Sequence, residues 1–135
     1  MSANMKKTTI KPGRKRILVV DDKASDTQLL KRYLEGTNDY LVREENDEEL
    51  AVGAAEEFQP HLILLDVLMP RISGADLAAR FRAHPQLKAV PIVFLTSVVT
   101  KDEMAMCGGK IGKYPFLAKP IVLTEVAACL EHHLG

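Results

Sequence analysis

At 135 residues the chain is long enough to form one domain with its own core, and it leaves little room for a second. Hydrophobic residues make up 47% and charged residues 27%, a balance typical of globular proteins. No apolar run approaches the roughly 20 residues that span a bilayer, and no signal-peptide hydrophobic region opens the chain, so we expect no membrane association. Cys107 and Cys129 lack metal-ligand spacing, which favours a reduced, cytoplasmic protein.

The formal net charge of zero is unevenly distributed along the chain. Residues 1–16 contain six basic residues and no acid, so the remainder carries a formal charge of −6. A basic arm can bind nucleic acid or an acidic partner, but it is more often a solvated chain start. No aromatic-rich basic strand or zinc-finger spacing accompanies it. We therefore predict a flexible basic lead-in over residues 1–15 and one folded domain over 16–135.

Five short segments have the composition of β-strands. Residues 62–65 are four consecutive aliphatic residues, a pattern that suits a strand covered by helices on both faces. Similar apolar runs occupy residues 16–20 and 91–95, whereas residues 40–43 are more polar and are expected near a sheet edge. The last strand is predicted at residues 114–118.

Helical patterns alternate with these strands. The first repeats leucines at helical spacing and can end at Gly36. Asp47 can cap a second helix, which is predicted to bury Leu50 along with several alanines and to end before Pro60. Ser73 opens the third helix in a pattern of capping-box form, with Asp76 three residues later.

The last two helical segments differ in length. The fourth is predicted to be short, at residues 100–106, because glycines follow it and each costs about 1 kcal/mol in a helix interior. The final helix repeats Val122, Val126, Leu130 and Leu134. Five β–α units in succession predict an α/β fold, a doubly wound parallel sheet with helices on both faces.

Polar residues stand directly after the predicted strands. Asp21 and Asp22 follow the first strand, Asp66 the third, Thr96 the fourth and Lys119 the last. Each has a commoner explanation by itself, since an aspartate after a strand is often a helix cap and a lysine before proline is often in a turn. Parallel strands bring their carboxyl ends to one edge of the sheet, where α/β proteins bind ligands. The joint placement of these residues therefore predicts a functional site.

The residue types at this edge suit phosphoryl chemistry. Three converging carboxylates repel one another and raise at least one pKa unless a cation is present. A hard divalent ion, for which Mg²⁺ is preferred over Ca²⁺, relieves that repulsion. An ammonium group and a hydroxyl beside a carboxylate suit the charge on a transferring phosphoryl group. Asp66 would then be a nucleophile that forms an acyl phosphate.

These motifs resemble those of the receiver domains of two-component response regulators. The resemblance covers residues 16–134 and comprises the acidic pair after the first strand, Asp66 in Asp-Val-Leu-Met-Pro, Thr96-Ser97, Phe116 in Phe-Leu-Ala-Lys, and Lys119-Pro120. The 30-residue separation of Asp66 and Thr96 is also similar to that of the family.

The resemblance implies a flavodoxin-like five-stranded sheet of order 2-1-3-4-5 and a role for each matching residue. Asp66 would be the phosphoacceptor, and Mg²⁺ would bind Asp22, Asp66 and the Leu68 backbone carbonyl, with Asp21 assisting through water. Thr96 would move toward the phosphate, Phe116 would change rotamer, and Lys119 would pair with the phosphate. The peptide bond before Pro120 would be cis, which proline permits at modest cost.

The function implied is a phosphorylation-dependent signalling switch, which is not an enzyme beyond catalysing its own phosphorylation and dephosphorylation. The donor would be a sensor histidine kinase or a phosphotransfer protein, and the output a protein contact or a phosphorelay step. We expect no DNA-binding domain within these 135 residues, and homodimerisation on phosphorylation stays open. The competing hypothesis is a metal-dependent phosphohydrolase, which typically needs a second carboxylate where this chain has Leu68.

Overall fold

A computed structural model describes residues 13–97, 110–111 and 114–134. Its strands are β1 (Lys15–Val20), β2 (Tyr40–Glu45), β3 (Leu62–Asp66), β4 (Ile92–Thr96), β5 (Lys110–Ile111) and β6 (Tyr114–Ala118). Its α-helices are α1 (Ala24–Gly36), α2 (Ala51–Phe58), α3 (Gly74–Ala83) and α4 (Leu123–Leu134), and a 3₁₀ turn (Glu48–Leu50) precedes α2. None of these helices has both the length and the apolar character needed to cross a bilayer.

The strands form one sheet in the order β2-β1-β3-β4-β6-β5. The first five in that order pair in parallel, which confirms the predicted doubly wound sheet of order 2-1-3-4-5. The two-residue strand β5 was not predicted, and it pairs antiparallel with β6 at the sheet edge. Two residues are too few to produce a hydrophobic pattern. The predicted short helix at residues 100–106 lies outside the described residues.

Apolar side chains cover both faces of the sheet. The central strand β3 alternates between them, so that Ile63 and Leu65 pack with α2 and α3, whereas Leu62 and Leu64 pack with α1 and α4. Residues 62–65 are fully buried as a result. The continuous aliphatic run in this strand follows directly from its coverage on both sides.

One predicted core position is wrong, and the first residue of the predicted final helix lies outside that helix. Leu50 is 58% exposed, because Asp47 accepts a hydrogen bond from the Glu49 backbone and the chain makes a 3₁₀ turn before α2 begins. Val122 is 45% exposed, since α4 starts at Leu123 and Val122 only contributes its carbonyl to the first turn. In both cases the apolar pattern begins one residue before the helix that it predicts.

Candidate functional site

Strand register brings the predicted polar residues to one edge of the sheet. Val20 of β1 lies opposite Leu65 of β3, and Asp66 lies opposite Leu95 of β4. Thr96 in turn lies opposite Ala118, the residue that precedes Lys119. Asp21 and Lys119, which are 98 positions apart in the sequence, therefore come into direct contact.

Three carboxylates form a compact cluster at this edge. One oxygen each from Asp21, Asp22 and Asp66 lie within 4.8 Å of one another. Asp21 is fully buried and Asp66 is 5% exposed, whereas Asp22 faces solvent. The Lys23 backbone N–H donates to Asp21 Oδ1 at 2.9 Å, and the Leu68 N–H donates to Asp66 Oδ1 at 3.4 Å. The cluster is thus open to solvent on the side of Asp22.

The ammonium group of Lys119 lies against this cluster. Its Nζ is 2.6 Å from Asp21 Oδ2, 3.2 Å from Asp26 Oδ2 and 3.6 Å from Asp66 Oδ1. Burial acts to lower the pKa of Lys119, but the hydrogen bond and charge of Asp21, with smaller contributions from the other two carboxylates, outweigh it and raise the pKa. Lys119 stays charged, and its nearest partner is Asp21.

The carboxyl group of Asp66 is difficult to ionise in this setting. Burial and the neighbouring charge of Asp21 raise its pKa from 3.8 to about 6, with a further contribution from Asp22. The charge of Lys119 and the Leu68 N–H act in the opposite direction without cancelling the effect. This agrees with the raised pKa that the sequence predicts for converging carboxylates, and a cation at the site would relieve the cost.

The remaining predicted residues lie on β4, on β6 and in the loops that follow β3 and β6. Thr96 is buried, and its backbone carbonyl accepts from the Lys119 N–H at 2.8 Å. The peptide bond between Lys119 and Pro120 is cis. Phe116 is 7% exposed and packs in the core layer formed by α2 and α3. Leu68 is 55% exposed beside Asp66.

Comparison with known proteins agrees with this geometry. The family model for the response regulator receiver domain matches residues 17–131. The chain belongs to this family. Receiver domains act in two-component systems as phosphorylation-dependent switches.

Two curated relatives illustrate the range of proteins that the receiver domain matches. The polar-differentiation response regulator DivK of Brucella anthropi is 26% identical over 90% of this chain and 97% of its own. The alkaline phosphatase synthesis transcriptional regulatory protein PhoP of Bacillus subtilis is 37% identical over 84% of this chain and 46% of its own. The chain thus spans about half the length of relatives such as PhoP, and nearly the whole of DivK.

Solved structures show the same fold. The chemotaxis protein CheY4 of Vibrio cholerae superposes with a TM-score of 0.77 at 26% identity, covering 90% of this chain and 99% of that one. The receiver domain of the sensor histidine kinase PA1611 of Pseudomonas aeruginosa gives 0.73 at 25% identity, covering 88% and 96%. That structure has a magnesium ion coordinated in its active-site cleft.

Sequence reasoning missed two polar residues, Asp26 and Asn46, that contact Lys119 and Asp21 of this receiver domain directly. Asp26 lies in the first turn of α1, and its Oδ2 is 3.2 Å from Lys119 Nζ, a contact with a distant element that no local pattern indicates. Asn46 donates from Nδ2 to the Asp21 carbonyl at 2.8 Å and to Thr27 Oγ1 at 3.0 Å. No local pattern marks Asn46, because its partners lie on other elements.

The loop after Asp66 is packed tightly against the receiver domain's sheet. Its first residue, Val67, donates to the Leu95 carbonyl at 3.0 Å and accepts from the Gly74 N–H at 2.9 Å. A Cβ atom added to Gly74 would lie 2.5 Å from the Asp66 carbonyl oxygen and 2.8 Å from Val67 Cα. Glycine is needed here because two backbone segments approach each other closely.

Replacing Gly74 with alanine is expected to lower the free energy of unfolding by about 2 kcal/mol, since the atoms that must shift belong to the backbone. Gly53 in α2 is the matched control, because a Cβ there meets nothing within 4 Å. Gly53→Ala should stabilise the protein by about 0.5–1 kcal/mol through its helix propensity. Urea unfolding measures both values, and equal effects of the two substitutions would contradict the packing argument.

Proposed function

We propose that Asp66 is the phosphoacceptor of this receiver domain. The observation that supports it is the burial of Asp66 beside two further carboxylates and 3.6 Å from the Lys119 ammonium group. An aspartate in this position has a nucleophilic oxygen, a nearby fixed cation and a solvent-open side through which a donor can approach. The accessible side is that of Asp22.

The same residues suit Mg²⁺. We assign Asp22, Asp66 and the backbone carbonyl of Leu68 as its ligands, with Asp21 contributing through a water molecule. The donor set fits because Mg²⁺ favours carboxylate and carbonyl oxygens and retains several waters. When bound, the ion would neutralise charge on the carboxylates and on the phosphoryl oxygens. The raised pKa of Asp66 supports this assignment, since burial and the neighbouring charge of Asp21 disfavour its ionised form and Lys119 does not offset them.

The phosphoryl transfer changes two bonds. An O–P bond forms to a carboxylate oxygen of Asp66, and the N–P bond of a phosphohistidine on a sensor kinase or a phosphotransfer protein breaks. The electron pair of the broken bond remains on the histidine ring. Hydrolysis later reverses the modification when water attacks the acyl phosphate. The protein's own chemistry is limited to gaining and losing this group.

Three residues would convert the modification into a change of shape. Thr96 would turn its hydroxyl toward the phosphoryl oxygens, and Lys119 would move from Asp21 to the phosphate. Phe116 would change rotamer, although its side chain has no hydroxyl to hydrogen-bond in either position. Its burial in the core layer of α2 and α3 supports a role in which repacking transmits the signal.

The output of the switch would be a protein contact or transfer of the phosphoryl group to another protein. We place the receiver domain at residues 16–135 and treat residues 1–15 as a basic lead-in. The first strand, β1, begins at Lys15 and so includes the last residue of that lead-in. Because Cys107 and Cys129 have neither CxxC nor metal-ligand spacing in the sequence, the cytoplasm is the compartment that we propose.

Intact-mass measurement tests the assignment. Incubation with Mg²⁺ and acetyl phosphate should add the mass of one phosphoryl group to the wild type and nothing to Asp66→Asn. Asp76→Asn, which removes an exposed carboxylate from α3, is the control and should be modified like the wild type. Modification of the Asp66→Asn protein would refute the assignment. Repeated turnover of phosphomonoesters without an adduct would instead support a phosphohydrolase.

A further inference from the structure

A buried acidic residue outside the carboxylate cluster contacts the loop that follows Asp66. Glu48 belongs to the 3₁₀ turn before α2 and is 2% exposed. Its Oε2 accepts a hydrogen bond from the Arg71 backbone N–H at 3.2 Å, and its Oε1 lies 3.3 Å from Arg71 Nη2. Burying a carboxylate costs several kcal/mol unless its oxygens are hydrogen-bonded, so these two contacts are needed for Glu48 to remain charged there.

The position of Arg71 connects this contact to the proposed metal site. Arg71 lies three residues after Leu68, whose backbone carbonyl we assign to Mg²⁺ and whose N–H donates to Asp66. The ends of the loop are bonded to β4 and to the start of α3 through Val67 and Gly74. Glu48 holds the middle of the loop from a different element, the connection between β2 and α2.

We propose that Glu48 is a positioning residue for the Mg²⁺ site. Its carboxylate fixes the backbone at Arg71 and thereby keeps the Leu68 carbonyl and N–H in the places that metal binding and phosphorylation require. This inference rests on the proposed function. Residues that orient metal ligands typically change metal affinity by about 10- to 100-fold when they are replaced. Because Glu48 acts through three residues of backbone, we expect an effect near the lower end of that range.

A neighbouring residue provides a charge-matched control. Glu49 pairs with the same arginine, 3.2 Å from Nη1, but its side chain is 54% exposed and its contact is with the guanidinium group rather than with the loop backbone. Exposed ion pairs of this type contribute little to stability. Replacing either glutamate removes one negative charge and one partner of Arg71. Only the Glu48 replacement removes the bond to the Arg71 N–H.

Arg71→Ala distinguishes the contribution of the Arg71 side chain from that of its backbone N–H. The alanine variant keeps the N–H that donates to Glu48, so it should resemble the wild type more closely than Glu48→Ala does. Glu48→Gln keeps an oxygen that can accept from this N–H and should recover part of the loss. It also provides a variant of nearly unchanged volume in case Glu48→Ala does not fold.

The experiment measures Mg²⁺ affinity by calorimetry and amide exchange of residues 67–73 in the absence of metal. Glu48→Ala should raise the dissociation constant for Mg²⁺ about tenfold and accelerate exchange in the loop. Glu49→Ala should change the dissociation constant less than twofold, and Glu48→Gln should lie between them. In acetyl phosphate assays, Glu48→Ala should need more Mg²⁺ for half-maximal rate but approach the wild-type rate at saturation.

The possible outcomes distinguish this inference from the proposed function. If the wild type binds Mg²⁺ and is modified on Asp66 but Glu48→Ala and Glu48→Gln bind the ion equally well, the inference fails and the proposed function stands. Equal effects of Glu48→Ala and Glu49→Ala would also refute it, since they would indicate a general charge effect. A wild-type protein that neither binds Mg²⁺ nor takes up a phosphoryl group would overturn both.

Discussion

In the absence of Mg²⁺, the Asp66→Asn protein should be about 2–3 kcal/mol more stable than the wild type near pH 8. The pKa of Asp66 is raised from 3.8 to about 6 in the folded protein, and each unit corresponds to roughly 1.4 kcal/mol. Above pH 6 the carboxyl group is ionised in both states, but only the folded state carries the cost of its burial and of the nearby Asp21 charge. Asparagine removes that cost.

The pH dependence of this difference follows from the direction of the shift. As the pH falls from about 6 to about 4, the folded wild type binds a proton that the unfolded chain does not yet bind, so the wild type gains stability. The advantage of Asp66→Asn should therefore shrink over this interval and vanish below it. Chemical unfolding in EDTA at a series of pH values measures the difference.

Glu57→Gln is a suitable control for Asp66→Asn, because it also removes one negative charge but from a side chain that is 71% exposed. Its effect on the free energy of unfolding should be within about 0.5 kcal/mol at every pH. Near pH 8, an Asp66→Asn protein that is no more stable than the wild type would show that Asp66 is not destabilising when ionised. Added Mg²⁺ should stabilise the wild type more than the variant, since the ion would bind Asp66.

Replacing Lys119 with alanine is expected to lower the free energy of unfolding of the metal-free protein by about 3–5 kcal/mol near pH 8. The substitution leaves Asp21, which is fully buried, without its ammonium partner at 2.6 Å, and it removes the nearest cation from Asp66. Millimolar Mg²⁺ should recover part of this loss, because the ion would supply positive charge to the same carboxylates. Chemical unfolding with and without Mg²⁺ measures both effects.

Lys23→Ala is the matched control for Lys119→Ala. Lys23 is exposed, and its contact with Asp21 is made by the backbone N–H, which alanine retains. A loss of stability as large as that of Lys119→Ala would contradict the role of the buried ion pair. Phosphorylation should change amide exchange at Thr96 and Phe116 in the wild type, and Lys119→Ala should lack that change. Equal changes in both proteins would refute a role for Lys119 in signal transmission.

Much of the fold was predictable because the sheet is covered on both sides. Helices pack on both faces of β1, β3 and β4, so their aliphatic residues stand in unbroken runs that mark each strand. The caps at Asp47 and Ser73 are also local, since each side chain accepts a backbone N–H two or three residues ahead. The wrong expectation for Leu50 arose where such a cap led into a 3₁₀ turn. The turn changed the direction of the side chain without changing the hydrophobic pattern.

The amino-acid sequence by itself determined which residues reach the functional edge of this receiver domain. Asp21, Asp22, Asp66, Thr96 and Lys119 each follow a strand signal, and parallel strands end on the same side. This reasoning needs only local patterns and the direction of the chain.

Only the tertiary structure decided how these residues pair and what supports them. The Nζ of Lys119 is 2.6 Å from Asp21 and 3.6 Å from Asp66, so Asp21 is its nearer partner. Asn46 donates to the Asp21 carbonyl, Glu48 accepts from the Arg71 N–H, and Gly74 lies against the Asp66 carbonyl. Asn46 and Glu48 make these contacts from other elements of the fold. Such contacts depend on distances across the sheet edge and between loops, which no periodicity along the chain records. The residues to which we assign the chemistry were therefore visible in the sequence, whereas those that we propose to position them were not.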